Sequence, residues 1–239
     1  PEIDRWIISL LNTLIKNVEE AYENYDVTSA GRMIQEFVCD HVSNWYVRLN
    51  RKRFWGSADT EDKLAAYQTL YEVLKDVAIL AAPIAPFYMD QLYLDLVPDG
   101  EESVHYVMMP GYDEKVIDND LEERMELAQR ASSMVLALRR KVNIKVRQPL
   151  SKLVIPVISD KVRGQLEKVK GLILGEVNVK EAEFISDTTG IITKKIKPNF
   201  KTLGKVYGKR MKEIASAFAG ISQQEINAVQ AAETEGRAY

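Results

Sequence analysis

Cysteine is nearly absent: Cys39 stands alone in 239 residues. One thiol cannot close an internal disulfide or build a multi-cysteine zinc site. Histidine is almost as scarce, with only His41 and His105, so metal or relay chemistry resting on imidazole has little to work with. No apolar run approaches the roughly 18 residues that a membrane-spanning helix needs. The common catalytic signatures are missing as well, with no G-x-S-x-G, no H-E-x-x-H and no C-x-x-C. The run Gly204-Lys205-Val206-Tyr207-Gly208-Lys209-Arg210 resembles a phosphate loop only superficially. Its spacing is one residue short, and no Ser or Thr follows the lysine. No constellation here could run a reaction alone. The chain opens Pro1-Glu2-Ile3-Asp4, without Met and without a signal-peptide pattern, which reads as a fragment of a longer polypeptide.

What is present is a globular composition, 46% hydrophobic and 28% charged. The net charge of -3 conceals an asymmetry. Residues 1–135 hold 12 Lys/Arg against 25 Asp/Glu, a net of -13. Residues 136–212 hold 19 against 6, a net of +13, and residues 213–239 hold 1 against 4. A long cationic stretch inside an acidic protein points to a polyanion partner, with a merely solvated surface as the plain alternative.

Helical periodicity dominates the first half. Ile3, Trp6, Ile7, Leu10, Leu11, Leu14, Val18 and Tyr22 predict one helix. Asp26 is a candidate N-cap for a second, whose stripe is Val38, Val42, Trp45 and Leu49, ending at Gly56-Ser57. Thr60 is a candidate cap for a third, with Leu64, Tyr67, Tyr71, Leu74 and Ala78 in period. Pro83 and Pro86 interrupt the chain before a short helix carrying Phe87, Leu92 and Leu96. Residues 98–118 connect to a long helix from about Asn119 to Val142, with Leu121, Met125, Ala128, Ser132 and Val135 on one face. Its acidic first turn and basic last turn (Arg139, Arg140, Lys141) suit the helix dipole. Strands are predicted at Leu153–Ile158, Val177–Ile185 and Ile191–Ile196, and a helix through Leu166, Val169 and Ile173. A further helix is read over Lys201–Phe218, and Ser222 with Glu225 forms a capping-box pair. The expected fold is mainly α: a four-helix bundle over 1–97, a connector and long helix over 98–142, and a small basic α+β module over 143–239.

Candidate contact residues follow from charge and spacing. At 100° per residue, Asn44, Arg48 and Arg51 centre about 120° from the core stripe of their helix, so they could meet phosphates or pair with acidic neighbours. Lys52 adjoins them, and Arg53 projects back towards the apolar side. Trp45 and Trp55 read as core aromatics, and Cys39 as buried and inert. Lys194 to Lys212 holds eight basic residues and no acidic one. Within it Lys194, Lys195 and Lys197 lead into Lys201, Lys205 and Lys209, a helical stripe that would repel itself unless solvated or matched by an anion. Phe200 and Tyr207 could stack on unpaired bases or anchor the segment to the core. Arg147, in the basic-apolar segment Lys141–Leu150, could be structural as easily as ligand-binding.

Several segments together resemble a known family. Asp4-Arg5-Trp6-Ile7, Ser43-Asn44-Trp45-Tyr46-Val47-Arg48, Arg51-Lys52-Arg53-Phe54-Trp55, Ala85-Pro86-Phe87 and Val146-Arg147-Gln148-Pro149-Leu150 are similar to the C-terminal region of class I isoleucyl-tRNA synthetases. The resemblance covers essentially the whole chain. It implies that 1–97 is an anticodon-binding bundle and that the later part is the extension of the eukaryote-like branch. The other bacterial branch carries a C-terminal cysteine zinc site, which Cys39 alone cannot supply. The resemblance further implies a cytoplasmic monomer with tRNA(Ile) as partner, no membrane association and no cofactor in this chain. ATP and Mg²⁺ would serve the full-length ligase, whose catalytic and editing domains have no counterpart here. On this reading Asn44, Arg48, Arg51, Lys52, Arg147 and the lysines of 194–212 lie along the tRNA path, an assignment that rests on charge and spacing. The alternative is a non-catalytic helical interaction module without RNA contact.

Overall fold

Amphipathic periodicity and caps account for most helix boundaries in the computed structural model, which describes residues 1–56, 60–157, 159–186, 198, 207–221 and 225–226. Helix α1 (Glu2–Glu23) buries Trp6, Ile7, Leu11, Leu14, Ile15 and Val18 on one stripe, as their spacing predicts. Asp26 caps α2 (Val27–Glu36) by accepting the Ser29 amide. A π-helical segment, Phe37–Val47, continues from it, and α3 (Arg51–Trp55) ends at Gly56. Thr60 caps α4 (Glu61–Ala81) through the Lys63 amide. Pro86 occupies the first turn of α5 (Pro86–Leu96), where its missing N–H costs nothing. A short 3-10 turn, Val104–Tyr106, precedes α6 (Asn119–Lys141), which Asp118 caps.

Which face each helix buries departs from the expected stripe in two places. The π-helical segment bonds i to i+5, so its turns are wider than 3.6 residues. Phe37, Val42, Trp45 and Tyr46 fill the core, while Val38 and Leu49 are only partly covered. Asn44, Arg48 and Arg51 are exposed as expected. Cys39, expected to be buried, is exposed, because the wider turn carries it away from the α1 side. In α4 the buried stripe is Ala66, Val73, Val77 and Ala78, not the one through Leu64 and Tyr67. Leu64 is 68% exposed. Small side chains let neighbouring backbones approach closely, and Leu64 and Tyr67 in the first half of the helix turn outward. On α5, Tyr93 is the buried residue and Phe87 is exposed. Tyr93 joins Ala78, Ile79, Ala82 and Val104 in one core cluster, with Leu92 packed against it.

Contacts divide the chain into two units, 1–149 with 164–178, and 150–163 with 179–239. In the first, α6 lies on α1, with Leu121, Met125, Ala128, Ser132 and Val135 buried as the sequence predicts. Polar bonds set its register. Ser9 and Thr13 donate to Glu122, Ser9 also accepts the Asp118 amide, and Arg124 pairs with Glu2. In the second unit, β1 (Leu150–Pro156) pairs parallel with β2 (Val179–Ile185), from Leu150 opposite Val179 to Pro156 opposite Ile185. Pro156 sits at the end of its strand, where the missing N–H is tolerated. Helix α7 (Asp160–Val177), most of which belongs to the first unit, links the two strands in sequence, the long connection a parallel pair requires. Val177 and Asn178 were expected in the strand. Val177 instead closes α7, and Asn178 takes a left-handed conformation at φ 51. A 3-10 turn (Gly208–Arg210) and α8 (Met211–Ala219) form the described part of the helix expected over Lys201–Phe218. The strand expected over Ile191–Ile196 and the Ser222 cap lie outside the described residues. No described helix is long and apolar enough to cross a membrane.

Candidate nucleic-acid interface

The two motifs Asp4–Ile7 and Arg51–Trp55 meet in a buried ion pair. Arg53 Nη1 and Nη2 donate to the two Asp4 carboxylate oxygens at 2.7 and 2.8 Å. Arg53 also donates to Asp62 Oδ2 (2.8 Å), the Asp62 carbonyl (2.9 Å) and Asn50 Oδ1 (3.0 Å). Tyr46 OH adds a bond to Asp4 Oδ1 at 2.9 Å. Burial by itself would raise the Asp4 pKa. The hydrogen bonds from Arg53 and Tyr46, with the Arg53 charge, outweigh it and hold the carboxyl below its ordinary value. Burial first, then the bond to Asp4, pushes the Tyr46 hydroxyl up. Arg53 is therefore a structural cation, turned inward as its position on the helix predicted. It fixes α3 against α1 and α4, while Arg51, Lys52 and Trp55 face solvent.

The candidate contact residues differ in how committed they are. Arg51 lies over the Trp55 ring, its guanidinium carbon 5.0 Å from the centroid. Lys52 is exposed. Asn44 Nδ2 reaches Asp40 at 3.5 Å, while its carbonyl accepts Arg48 Nε at 2.7 Å. Arg48 Nη1 also pairs with Glu176 of α7 at 2.6 Å, which neutralises much of its field. Trp45 is buried as expected, but Trp55 is not. The neighbouring Phe54 takes the core position, edge-on to Tyr46 and Tyr67, and the helix directs Trp55 outward.

A second cationic element lies at the end of α6. Arg139 belongs to the basic last turn that suits the helix dipole, as the sequence predicts. It is only 3% exposed and donates to three carbonyls, those of Lys145 (3.2 Å), Gln148 (3.0 Å) and Asn178 (3.0 Å). Asn178 Nδ2 returns a bond to the Val146 carbonyl at 2.8 Å. Asn143, at φ 57, closes α6, with the Ile144 amide donating to the Arg139 carbonyl and the Asn143 amide to that of Arg140. The loop 142–149 is thus built from inside, and Arg140, Lys141, Lys145 and Arg147 project into solvent around it. A cavity of about 320 Å³ is lined by Leu136, Arg139, Arg140, Asn143, Lys145 and neighbours. Sequence reasoning named Arg147 alone from this loop as a contact. The spacing of Arg139 four residues after buried Val135 was the available signal for the rest.

Lys194, Lys195, Lys197, Lys201 and Lys205 lie outside the described residues, as does Phe200. Lys209 falls within the 3-10 turn, and Tyr207 is exposed. His41 is structural. Its ring meets Trp6 edge-on at 6.0 Å and its Nδ1 is 3.1 Å from Gln129 Nε2. Burial lowers its pKa against the opposing pull of Glu36 and Asp40.

Residues 4–155 match the family described as Anticodon-binding domain of tRNA ligase. The chain belongs to that family. The match takes in the Asp4–Arg53 pair, α3 and the 142–149 loop, and ends before the lysines of 194–212. Among curated relatives, the chain is 56% identical over 230 residues to the Isoleucine--tRNA ligase of Bacteroides fragilis (strain YCH46), covering 95% of this chain and 20% of that protein. It is 55% identical over 234 residues to the Isoleucine--tRNA ligase of Porphyromonas gingivalis, covering 98% of this chain and 20% of that protein. For the protein of the same name in Clostridium novyi the figures are 43% over 229 residues, 94% and 21%. The chain spans about a fifth of the length of the curated relatives it matches.

Proposed function

We propose that this chain is the tRNA-holding part of an isoleucine–tRNA ligase and recognises the anticodon region of tRNA(Ile). The observation that carries the reading is the identity of 55–56% across almost the entire chain to ligases of that name, on top of the anticodon-binding family match. On this reading residues 1–97 form the anticodon-binding bundle, 98–142 the connector and long helix, and 143–239 a basic C-terminal module. Arg51, Lys52 and Arg147 contact the tRNA, joined by Asn44, by Arg48 with its charge shared with Glu176, and by Lys194, Lys195, Lys197, Lys201, Lys205 and Lys209. Cations on the backbone set position and affinity, and a few contacts to splayed bases set specificity. The parent ligase works as a cytoplasmic monomer of the eukaryote-like branch. That branch placement rests on the resemblance alone; the relatives named above are bacterial and their names carry no branch. Activation of isoleucine with ATP and Mg²⁺ belongs to the remaining four-fifths of the polypeptide. Among the described residues there is no group of three or more His, Cys, Asp or Glu that could hold a metal ion.

The test is a filter-binding titration of the chain with tRNA(Ile) across salt concentrations. About four phosphate contacts to an unpaired strand give a log–log salt slope of about −3. Changing Lys201, Lys205 and Lys209 to Glu should flatten that slope without altering the circular dichroism spectrum. Salt-independent binding, or equal binding to an unrelated tRNA and to a neutral polymer, refutes the assignment.

A further inference from the structure

Of the three tryptophans, Trp6 is 1% and Trp45 7% exposed, whereas Trp55 is 67% exposed. Burying such a ring would contribute more to stability than almost any other side chain, so its exposure is not explained by the fold. The outward position is enforced. Arg53 is locked by Asp4, Asp62 and Asn50, and Phe54 is packed between Tyr46 and Tyr67, with its carbonyl accepting the Tyr67 hydroxyl at 3.1 Å. Two consecutive anchored residues leave Trp55 one direction in which to point. Arg51, one turn earlier, lies over the indole. A guanidinium stacked on an indole is a flat cationic surface already ordered before any ligand arrives.

We infer that the Arg51–Trp55 pair is a stacking platform for one unpaired base of an RNA loop, with exposed Lys52 placed for an adjacent phosphate. This inference rests on the tRNA-holding reading above. Charge separates this patch from the other large exposed aromatic patch. Phe87 and Tyr88 on α5 share their helix with Asp90 and Asp95 and with no Lys or Arg, so they would repel a polyanion. The α3 segment Arg51-Lys52-Arg53-Phe54-Trp55 holds three cations and no acid, and Arg53 already satisfies Asp4 and Asp62. Stacking tolerates any base, so the platform positions a nucleotide while other contacts decide its identity.

Trp55 is the one tryptophan open to solvent, so acrylamide quenching of indole emission reports on it selectively. Adding the anticodon stem-loop RNA of tRNA(Ile) to the chain should protect and quench Trp55, and a duplex of equal length should not. Trp55→Ala should weaken stem-loop binding by roughly tenfold or more, the loss expected when a base–aromatic stack is removed. It should leave duplex binding and thermal melting unchanged, and Trp55→Phe should retain much of the affinity. Stem-loop binding with Trp55 still accessible, or with unchanged affinity in Trp55→Ala, overturns the platform and leaves the tRNA reading standing. No RNA binding at all by the wild-type chain overturns both. If the difference in quenching between full-length ligase and its Trp55→Phe variant shows the ring already shielded before RNA is added, Trp55 is an interdomain contact and the platform falls.

Discussion

Replacing Asp4 by Asn keeps the shape of the side chain and removes the charge that Arg53 was built to meet. Arg53 would lose its two-pronged partner at 2.7 and 2.8 Å, while Asp62, on the open side, would remain. Removing one member of a buried pair costs about 3–5 kcal/mol because the other charge stays desolvated. With Asp62 still in place, the lower end applies, about 3 kcal/mol at pH 7. The guanidinium cannot relieve its position by losing a proton, since its pKa is pushed further up by Asp4 in the native protein. The reverse variant, Arg53→Met, behaves differently with pH. In the wild type the Asp4 pKa is held below its unfolded value. That stabilisation is fully present above about pH 4 and is lost as pH falls through the folded value. In Arg53→Met, burial is opposed only by Tyr46 and the Pro1 ammonium, 3.8 Å from Asp4 Oδ2, and the carboxyl pKa rises relative to wild type. The deficit relative to wild type should then be largest at neutral pH and shrink as pH falls below about 4. Urea unfolding followed by circular dichroism at pH 7 and near pH 4 measures both effects. If Asp4→Asn lies within about 1 kcal/mol of wild type at pH 7, the pair is worth no more than a surface bridge and the argument fails.

Three further outcomes follow from the packing. Arg139→Met removes three bonds to loop carbonyls and should destabilise by about 2–4 kcal/mol. Amide exchange at Ile144 and Gln148 should rise above the increase elsewhere. Trp45→Ala should cost about 3–5 kcal/mol by urea titration, whereas Trp55→Ala should cost almost nothing. Gly100→Ala would place a Cβ 2.6 Å from the Tyr93 hydroxyl and 3.1 Å from the Val97 carbonyl. It should lower stability by about 1–3 kcal/mol, read as a drop in melting temperature.

Much of the candidate interface was readable as charge. The +13 stretch, Arg51, Lys52 and Arg147 stood out in the sequence because exposed cations need no partner to be recognised. The inward role of Arg53 was readable in direction, since it falls on the apolar side of its helix, but its partner was not. Asp4 lies 49 residues away, and nothing local ties the two together. For Arg139 the fit to the helix dipole was readable and its burial was not, since a basic last turn suits the dipole wherever the side chain points. Its burial depends on the loop and on Asn178 returning to it from 39 residues downstream. Trp55 was misassigned because an aromatic at a helix end is ordinarily core, and only the packing of Phe54 shows which of two adjacent rings goes inside.

The sequence by itself determined where several of the helices begin. Asp26, Thr60 and Asp118 satisfy amides within one turn of themselves, Pro86 suits a first turn, and the 4,3 spacing along α6 names its buried face. These are short-range interactions, complete within a few residues. The tertiary structure alone decided which way the π-helical segment turns Cys39, which stripe of α4 is covered, how β1 and β2 pair, and why Trp55 remains outside. Each of those depends on the volume and polarity of a partner distant in sequence, which local periodicity does not encode.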